Sequence, residues 1–204
     1  HGGDIDLAIK KYGGKREDWV DLSTGINGTS YPWQESINVE LRNLPSNRIL
    51  MNLEKAAARA YKIAESADTA AVSGAQQIIN LLPICLKSCN SVTILGPTYS
   101  EYEKAFKSSG IKTQTVSEVS KLYSSDIAII VNPNNPTGKV IADEMLEDLS
   151  KKVRILIIDE SFKMFSSRRT HNFSNIIQIN SLGKFFGLAG IRLGFVSGPS
   201  DFIK

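Results

Sequence analysis

Short, wholly apolar runs alternate along this chain with stretches whose apolar residues recur every three or four positions. Residues 127–131 (Ile-Ala-Ile-Ile-Val) and the Ile155-Leu156-Ile157-Ile158 part of 154–159 carry no polar side chain before their last position, the pattern of strands buried on both faces. Residues 69–72, 91–95, 112–116, 176–180 and 195–197 read as further strands. Between them lie helical patterns: one opened by Asn47 and running through Leu53 to Ile63, one over 74–87 with a bend expected at Pro83, one over 99–108 and one over 143–151. Strands alternating with helices predict an α/β fold, three layers with a mainly parallel sheet covered on both faces. Ahead of it, residues 1–40 read as an arm, and 41–204 as one large domain. In the arm, Asp4 is expected to cap a short helix to Lys11, ended by Gly13-Gly14; Val20-Asp21-Leu22 reads as a short strand, and residues 23–28 as a turn-rich loop.

Composition narrows the function classes. A hydrophobic content of 42% with 22% charged residues is that of a globular protein with a sizeable core. The net charge of +3 and the lack of any basic run interleaved with aromatics argue against a nucleic-acid partner. No apolar run is long enough to span a membrane and no signal-peptide pattern is read at the start, so the cytoplasm is expected. Cys85 and Cys89 read as two small core residues, and with only His1 and His171 beside them no metal centre is expected.

In a parallel sheet, ligands bind outside the carboxyl ends of the strands. The unusual residues fall there. Ser73-Gly74-Ala75-Gln76 follows a strand and opens a helix, which makes a cradle for phosphate. Tyr99 follows Gly96-Pro97-Thr98 and can stack on a flat ring; Asn132-Pro133-Asn134-Asn135-Pro136-Thr137-Gly138 ends the next strand; Asp159 ends the one after. Lys184 stands in a glycine-rich loop, three residues after Ser181 and eight before Arg192. Each has an ordinary reading alone: a glycine turn, a core tyrosine, a capping carboxylate, a solvated lysine. Together they read as a site for pyridoxal 5′-phosphate (PLP). Lys184 would hold its aldehyde, Asp159 its ring nitrogen, Asn135 its phenolic oxygen and Tyr99 its face; Gly74, Ala75, Gln76, Ser181 and Arg192 would hold its phosphate.

With these motifs the chain resembles the fold-type I PLP-dependent enzymes of aminotransferase class I/II, through residues 132–138, Asp159-Glu160-Ser161-Phe162 and Ser181-Leu182-Gly183-Lys184 with Arg192. The resemblance implies a PLP-transferase-like large domain, Lys184 and Asp159 as the catalytic pair, and a homodimer. It also implies a C-terminal small domain bearing arginines for the substrate carboxylate, and the chain is expected to stop before most of it. The arm, through His1-Gly2-Gly3-Asp4 and residues 21–27, is similar to that of the branch acting on L-threonine O-3-phosphate in cobalamin biosynthesis. That branch implies decarboxylation to (R)-1-amino-2-propanol O-2-phosphate, with His1, Gly2, Gly25 and Asn135 against the substrate. An aminotransferase of the histidinol-phosphate type is the alternative, and an inactive PLP-binding domain a second. Four places depart from the family pattern: Gly183 where Ser or Thr is usual, Phe162 where many aminotransferases have tyrosine, Gly28 where proline follows the arm asparagine, and the segment around Leu44-Pro45, which lacks the tyrosine that many relatives reach across the dimer to the cofactor phosphate.

Overall fold

The computed structural model of the chain describes residues 2–33, 42–123, 125–163 and 174–203. Seven strands form one sheet: β1 (Asp68–Val72), β2 (Ser91–Leu95), β3 (Lys112–Val116), β4 (Ile127–Val131), β5 (Ile155–Asp159), β6 (Ile176–Ser181) and β7 (Gly194–Gly198). Their order is β1-β7-β6-β5-β4-β2-β3. All pairings are parallel except the two made by β7. The mainly parallel sheet expected from the sequence is therefore present, with one strand reversed. The lysine loop explains the reversal. It holds only a short 3-10 turn, Ala189–Ile191, and so cannot make the helical crossover that a parallel neighbour needs. The chain turns back, and Ser181 pairs with Gly194.

The helices are α1 (Ile5–Tyr12), α2 (Asn47–Ala60), α3 (Ala75–Cys85), α4 (Glu101–Ser108), α5 (Asp143–Ser150) and α6 (Ser200–Ile203). Strand β4 shows why the central positions are apolar throughout. Ile127, Ile129 and Val131 meet Ile79 and Leu82 of α3 and Phe106 of α4 on one face. Ala128 and Ile130 meet Leu146 and Leu149 of α5 on the other. The two faces alternate with the two-residue period of a strand, and each fully buried Ile or Leu contributes about 1.5–3 kcal/mol. Helix α2 lies against β1 and β7, where Ala57 and Tyr61 pack with Phe195. This is a three-layer α/β fold.

Four local expectations are corrected. Helix α2 is capped by Ser46, whose Oγ accepts the Ile49 N–H at 3.4 Å, and it ends at Ala60, short of Ile63. Helix α3 stops at Cys85. Val20-Asp21-Leu22 is not a strand: Val20 and Leu22 are exposed, and Asp21 folds back to accept the Ser23 N–H at 2.8 Å, a local turn that competes with strand pairing. Cys85 is exposed, while Cys89 is buried. The expected α1 is present, with Asp4 accepting the Leu7 N–H at 2.8 Å and Gly13 ending it at φ 78°. The boundary expected between residues 40 and 41 lies outside the described residues. Among the described residues no helix is long and apolar enough to cross a membrane.

Candidate active site

A cavity of about 280 Å³ opens at the carboxyl ends of β4, β5 and β6, beside the first turn of α3. That is near the lower end of the ~300–1,000 Å³ usual for small-molecule sites. Every motif singled out at a strand end sends residues into its wall.

One end is built to hold an anion. Gly74 precedes α3 at φ 87°, a conformation that favours glycine. A Cβ there would lie 3.0 Å from Arg192 Nη2, so the missing side chain is what lets the guanidinium sit against the helix start. The first-turn amides of Ala75 and Gln76 have no acceptor inside their own helix, and both residues line the cavity. Arg192 is itself left-handed, at φ 57° and ψ 50°, which costs a non-glycine residue ~1–3 kcal/mol and is tolerated where function fixes it. Its Nη1 donates to the Ala189 carbonyl at 3.3 Å. Ser181 Oγ accepts the Gly183 N–H at 3.0 Å, which leaves its own O–H free to donate elsewhere.

The deep end is a carboxylate. Asp159 is buried at the end of β5; its Oδ2 accepts the Tyr102 hydroxyl at 2.7 Å and its Oδ1 the Ser161 N–H at 2.9 Å. Burial raises its pKa, the hydrogen bonds from Ser161 and Tyr102 pull it back, and the neighbouring Glu160 adds to the rise. Among the described residues no cation pairs with Asp159. Lys163 is committed elsewhere, 2.8 Å from buried Glu160 and 3.1 Å from part-buried Asp143, and the trio ties the turn after β5 to the start of α5. Tyr102 was not legible as a site residue. It lies one helical turn after Tyr99, and a fully buried tyrosine reads as core until its hydroxyl partner is known. Tyr102→Phe is expected to raise the Asp159 pKa further and to weaken cofactor binding about 3–10-fold, a loss of ~1 kcal/mol from one hydrogen bond, read by PLP titration of the purified variant.

Of the three asparagines after β4, two are structural. Asn132 pairs with Ile141 through both ends of its carboxamide, at 3.0 and 2.8 Å. Asn134 donates to the Pro97 carbonyl and to Thr137 and accepts from Thr98. Asn135 alone lines the cavity. Tyr99 also lines it and donates to Gln76 Oε1 at 3.1 Å. Lys184 lines the same cavity, with Nζ 5.7 Å from the centre of the Phe162 ring. On the arm side the wall is Gly2, Thr24 and Ile26. Gly25 stands one layer back, where a Cβ would come within 2.7 Å of the Phe162 ring. His1 lies outside the described residues. Phe162 lines the wall, at the position where many aminotransferases have tyrosine; the sequence reading missed Ser161, Thr24 and Ile26 as wall residues, and the last two flank Gly25 on a loop with no periodic pattern to assign an inward face.

These groups fit PLP. The uncompensated buried carboxylate suits a protonated ring nitrogen. The Gly74 cradle, the hydroxyl of Ser181 and the Arg192 guanidinium suit a phosphate. Lys184 offers an amine suited to the aldehyde.

Comparison with known proteins agrees. Residues 17–204 match the family described as aminotransferase class I and II. A threonine-phosphate decarboxylase of Sinorhizobium sp. is 35% identical over 206 residues, covering 96% of this chain and 62% of that protein. A threonine-phosphate decarboxylase of Pseudomonas aeruginosa is 34% identical, covering 100% of this chain and 63% of its own length. The crystal structure of the histidinol-phosphate aminotransferase from Clostridium acetobutylicum superposes with a TM-score of 0.66 at 28% identity, over 80% of this chain and 54% of that one. The chain thus spans a little over six-tenths of the two curated relatives. It belongs to the aminotransferase class I and II family of PLP-dependent enzymes.

Proposed function

We propose that the whole protein decarboxylates L-threonine O-3-phosphate to (R)-1-amino-2-propanol O-2-phosphate, in cobalamin biosynthesis. The reading is carried by the likeness, over nearly the whole chain, to two threonine-phosphate decarboxylases. Phe162 in the cavity wall, in place of a tyrosine, leans the same way.

PLP, when bound, supplies an electron sink for the pair released at the substrate Cα. The remaining work falls to the chain. Ser181, Arg192 and the start of α3, with Gly74, Ala75 and Gln76, hold the cofactor phosphate. Asp159 would present negative charge to the ring nitrogen, Asn135 would donate to the phenolic oxygen, and Tyr99 would pack on the ring face. Lys184, in the cavity wall, would hold the cofactor through its amine. His1 and Gly2, with Asn135, would hold the substrate so that the bond to its carboxylate is the one aligned for cleavage, while Gly25, one layer back, leaves room for the Phe162 ring; orientation, with the same cofactor, selects the reaction.

An aminotransferase of the histidinol-phosphate type is the second reading, supported by the Clostridium acetobutylicum structure. There the Cα–H bond would be the one aligned, and Lys184 would move the proton. Within the leading reading residues 1–40 serve as an arm and 41–204 as the cofactor-binding domain of a cytoplasmic homodimer. The exposed apolar residues Val20, Leu22 and Leu44 offer surface for the second copy. The test is incubation of the PLP-loaded protein with L-threonine O-3-phosphate and no keto acid. Carbon dioxide release supports the decarboxylase. Amino transfer from histidinol phosphate to 2-oxoglutarate, with no carbon dioxide, replaces it by the second reading. Neither product leaves an inactive PLP-binding domain.

A further inference from the structure

The arm does more than wall the cavity: it is laced to the lysine loop. Four successive carbonyls, from Lys184 to Gly187, each accept one donor from residues 27–31. The Asn27 N–H donates to Lys184 O at 3.0 Å and the Tyr31 N–H to Phe186 O at 2.8 Å. Asn27 Nδ2 donates to Phe185 O at 3.0 Å, and Ser30 Oγ to Gly187 O at 2.9 Å. The approach is close enough that a Cβ on Gly187 would lie 2.7 Å from the Asn27 carbonyl, at a residue whose φ is 64°.

Asn27 holds the two carbonyls next to the reactive side chain. Its carboxamide is fixed at the other end as well, since Oδ1 accepts the Thr29 N–H at 3.0 Å. A side chain tied at both ends holds one rotamer, and the peptide planes on either side of Phe185 are held with it. The plane between Lys184 and Phe185, held by the Asn27 N–H, is the one at the root of the Lys184 side chain, and the carboxamide holds the plane that adjoins it through Phe185. Ile26, the residue before, lines the cavity.

We propose that Asn27 is a positioning residue for Lys184, through which the arm fixes the backbone that aims the reactive amine. The proposal rests on the reading of Lys184 as the point of cofactor attachment. It is tested on the apo protein by adding PLP across a range of pH, trapping the attached cofactor with borohydride and locating it by peptide mass spectrometry. Asn27→Ala removes both side-chain hydrogen bonds and is expected to slow attachment at Lys184 about tenfold and to shift the midpoint of its pH profile. Asn27→Asp keeps the acceptor for Thr29 and loses the donor to Phe185; it is expected to fall with the alanine variant, and it carries the test if the alanine variant does not fold by circular dichroism. Ser30→Ala removes an arm donor two carbonyls further along and is expected to stay within about twofold of the parent, with the same midpoint. Parent-like attachment in a folded Asn27 variant overturns the proposal, as does an equal loss in Ser30→Ala. Lys184→Ala separates the two claims: attachment that persists there overturns the lysine assignment, whereas its loss beside parent-like Asn27 variants overturns only the role of Asn27.

Discussion

Lys184→Ala is expected to abolish covalent attachment of PLP and to lower turnover of the whole protein by at least about 10³-fold. The size of the effect follows from the lack of a substitute. Among the described residues Arg192 is the only other basic side chain in the cavity wall, and a guanidinium does not give up its proton. Lys163, on the turn after β5, is held by Glu160 and Asp143 and does not line the cavity. The substitution has little structural cost, because Lys184 is half-exposed and makes no ion pair among the described residues. The anion-holding groups at Gly74, Ser181 and Arg192 stay in place, so the variant is expected to bind PLP without a covalent bond. The measurement is the visible absorption of the PLP-loaded protein, with borohydride trapping. A band that survives in the alanine variant, trapped at another lysine, would reassign the site.

How far the sequence foretold this molecule depended on whether the deciding interaction was local. Strands β2, β3 and β4 have the bounds read from the sequence; in β4 the cause is an uninterrupted apolar run, which has few other ways to bury itself, whereas β3, Lys-Thr-Gln-Thr-Val, is a half-exposed edge strand rich in β-branched residues. The direction of β7 was not legible. It depends on how the preceding loop returns to the sheet, and no residue pattern within Gly194–Gly198 records that. Val20-Asp21-Leu22 had the composition of a strand, but the Asp21 carboxylate found a backbone partner two residues away and the segment took a turn. Asn47 and Ser46 are both good caps, and the choice between them lay in one hydroxyl reaching Ile49.

The site divides in the same way. Motifs at strand ends could be placed because α/β topology fixes where such ends gather. That three neighbouring asparagines divide their labour could not be read, since Asn132 and Asn134 find partners on other segments. The lacing of Asn27 to Phe185 joins residues 158 positions apart and left no trace in the local pattern. Tyr102 shows the same limit: its ring belongs to the core and its hydroxyl to the site, and the sequence records only the ring.

Asp159→Asn should push stability and cofactor binding in opposite directions. Burial raises the Asp159 pKa in the folded chain above its unfolded value. The fold then holds that proton more tightly than the unfolded chain does, so the ionised carboxylate destabilises the fold at pH above the raised pKa, and the cost fades as pH falls through it. Asparagine removes the charge and keeps the contacts: Oδ1 can still accept the Ser161 N–H, and the Tyr102 hydroxyl can turn to accept from the new amide. Without PLP the variant is therefore expected to melt above the parent at pH 8, by about 2–4 °C for each kcal/mol relieved. That gap should close as the buffer is made more acidic. With PLP the order should reverse. The lost charge-assisted hydrogen bond, worth ~1.5–3 kcal/mol, weakens cofactor binding about 10–100-fold, and a ligand stabilises the fold in proportion to the logarithm of its concentration over Kd. Melting curves of both proteins, with and without PLP at pH 8 and at mildly acidic pH, read all of this. An asparagine variant that melts below the parent without PLP would mean that the protein's own groups already compensate the Asp159 charge. The cavity would then have no need of a cation at its deep end.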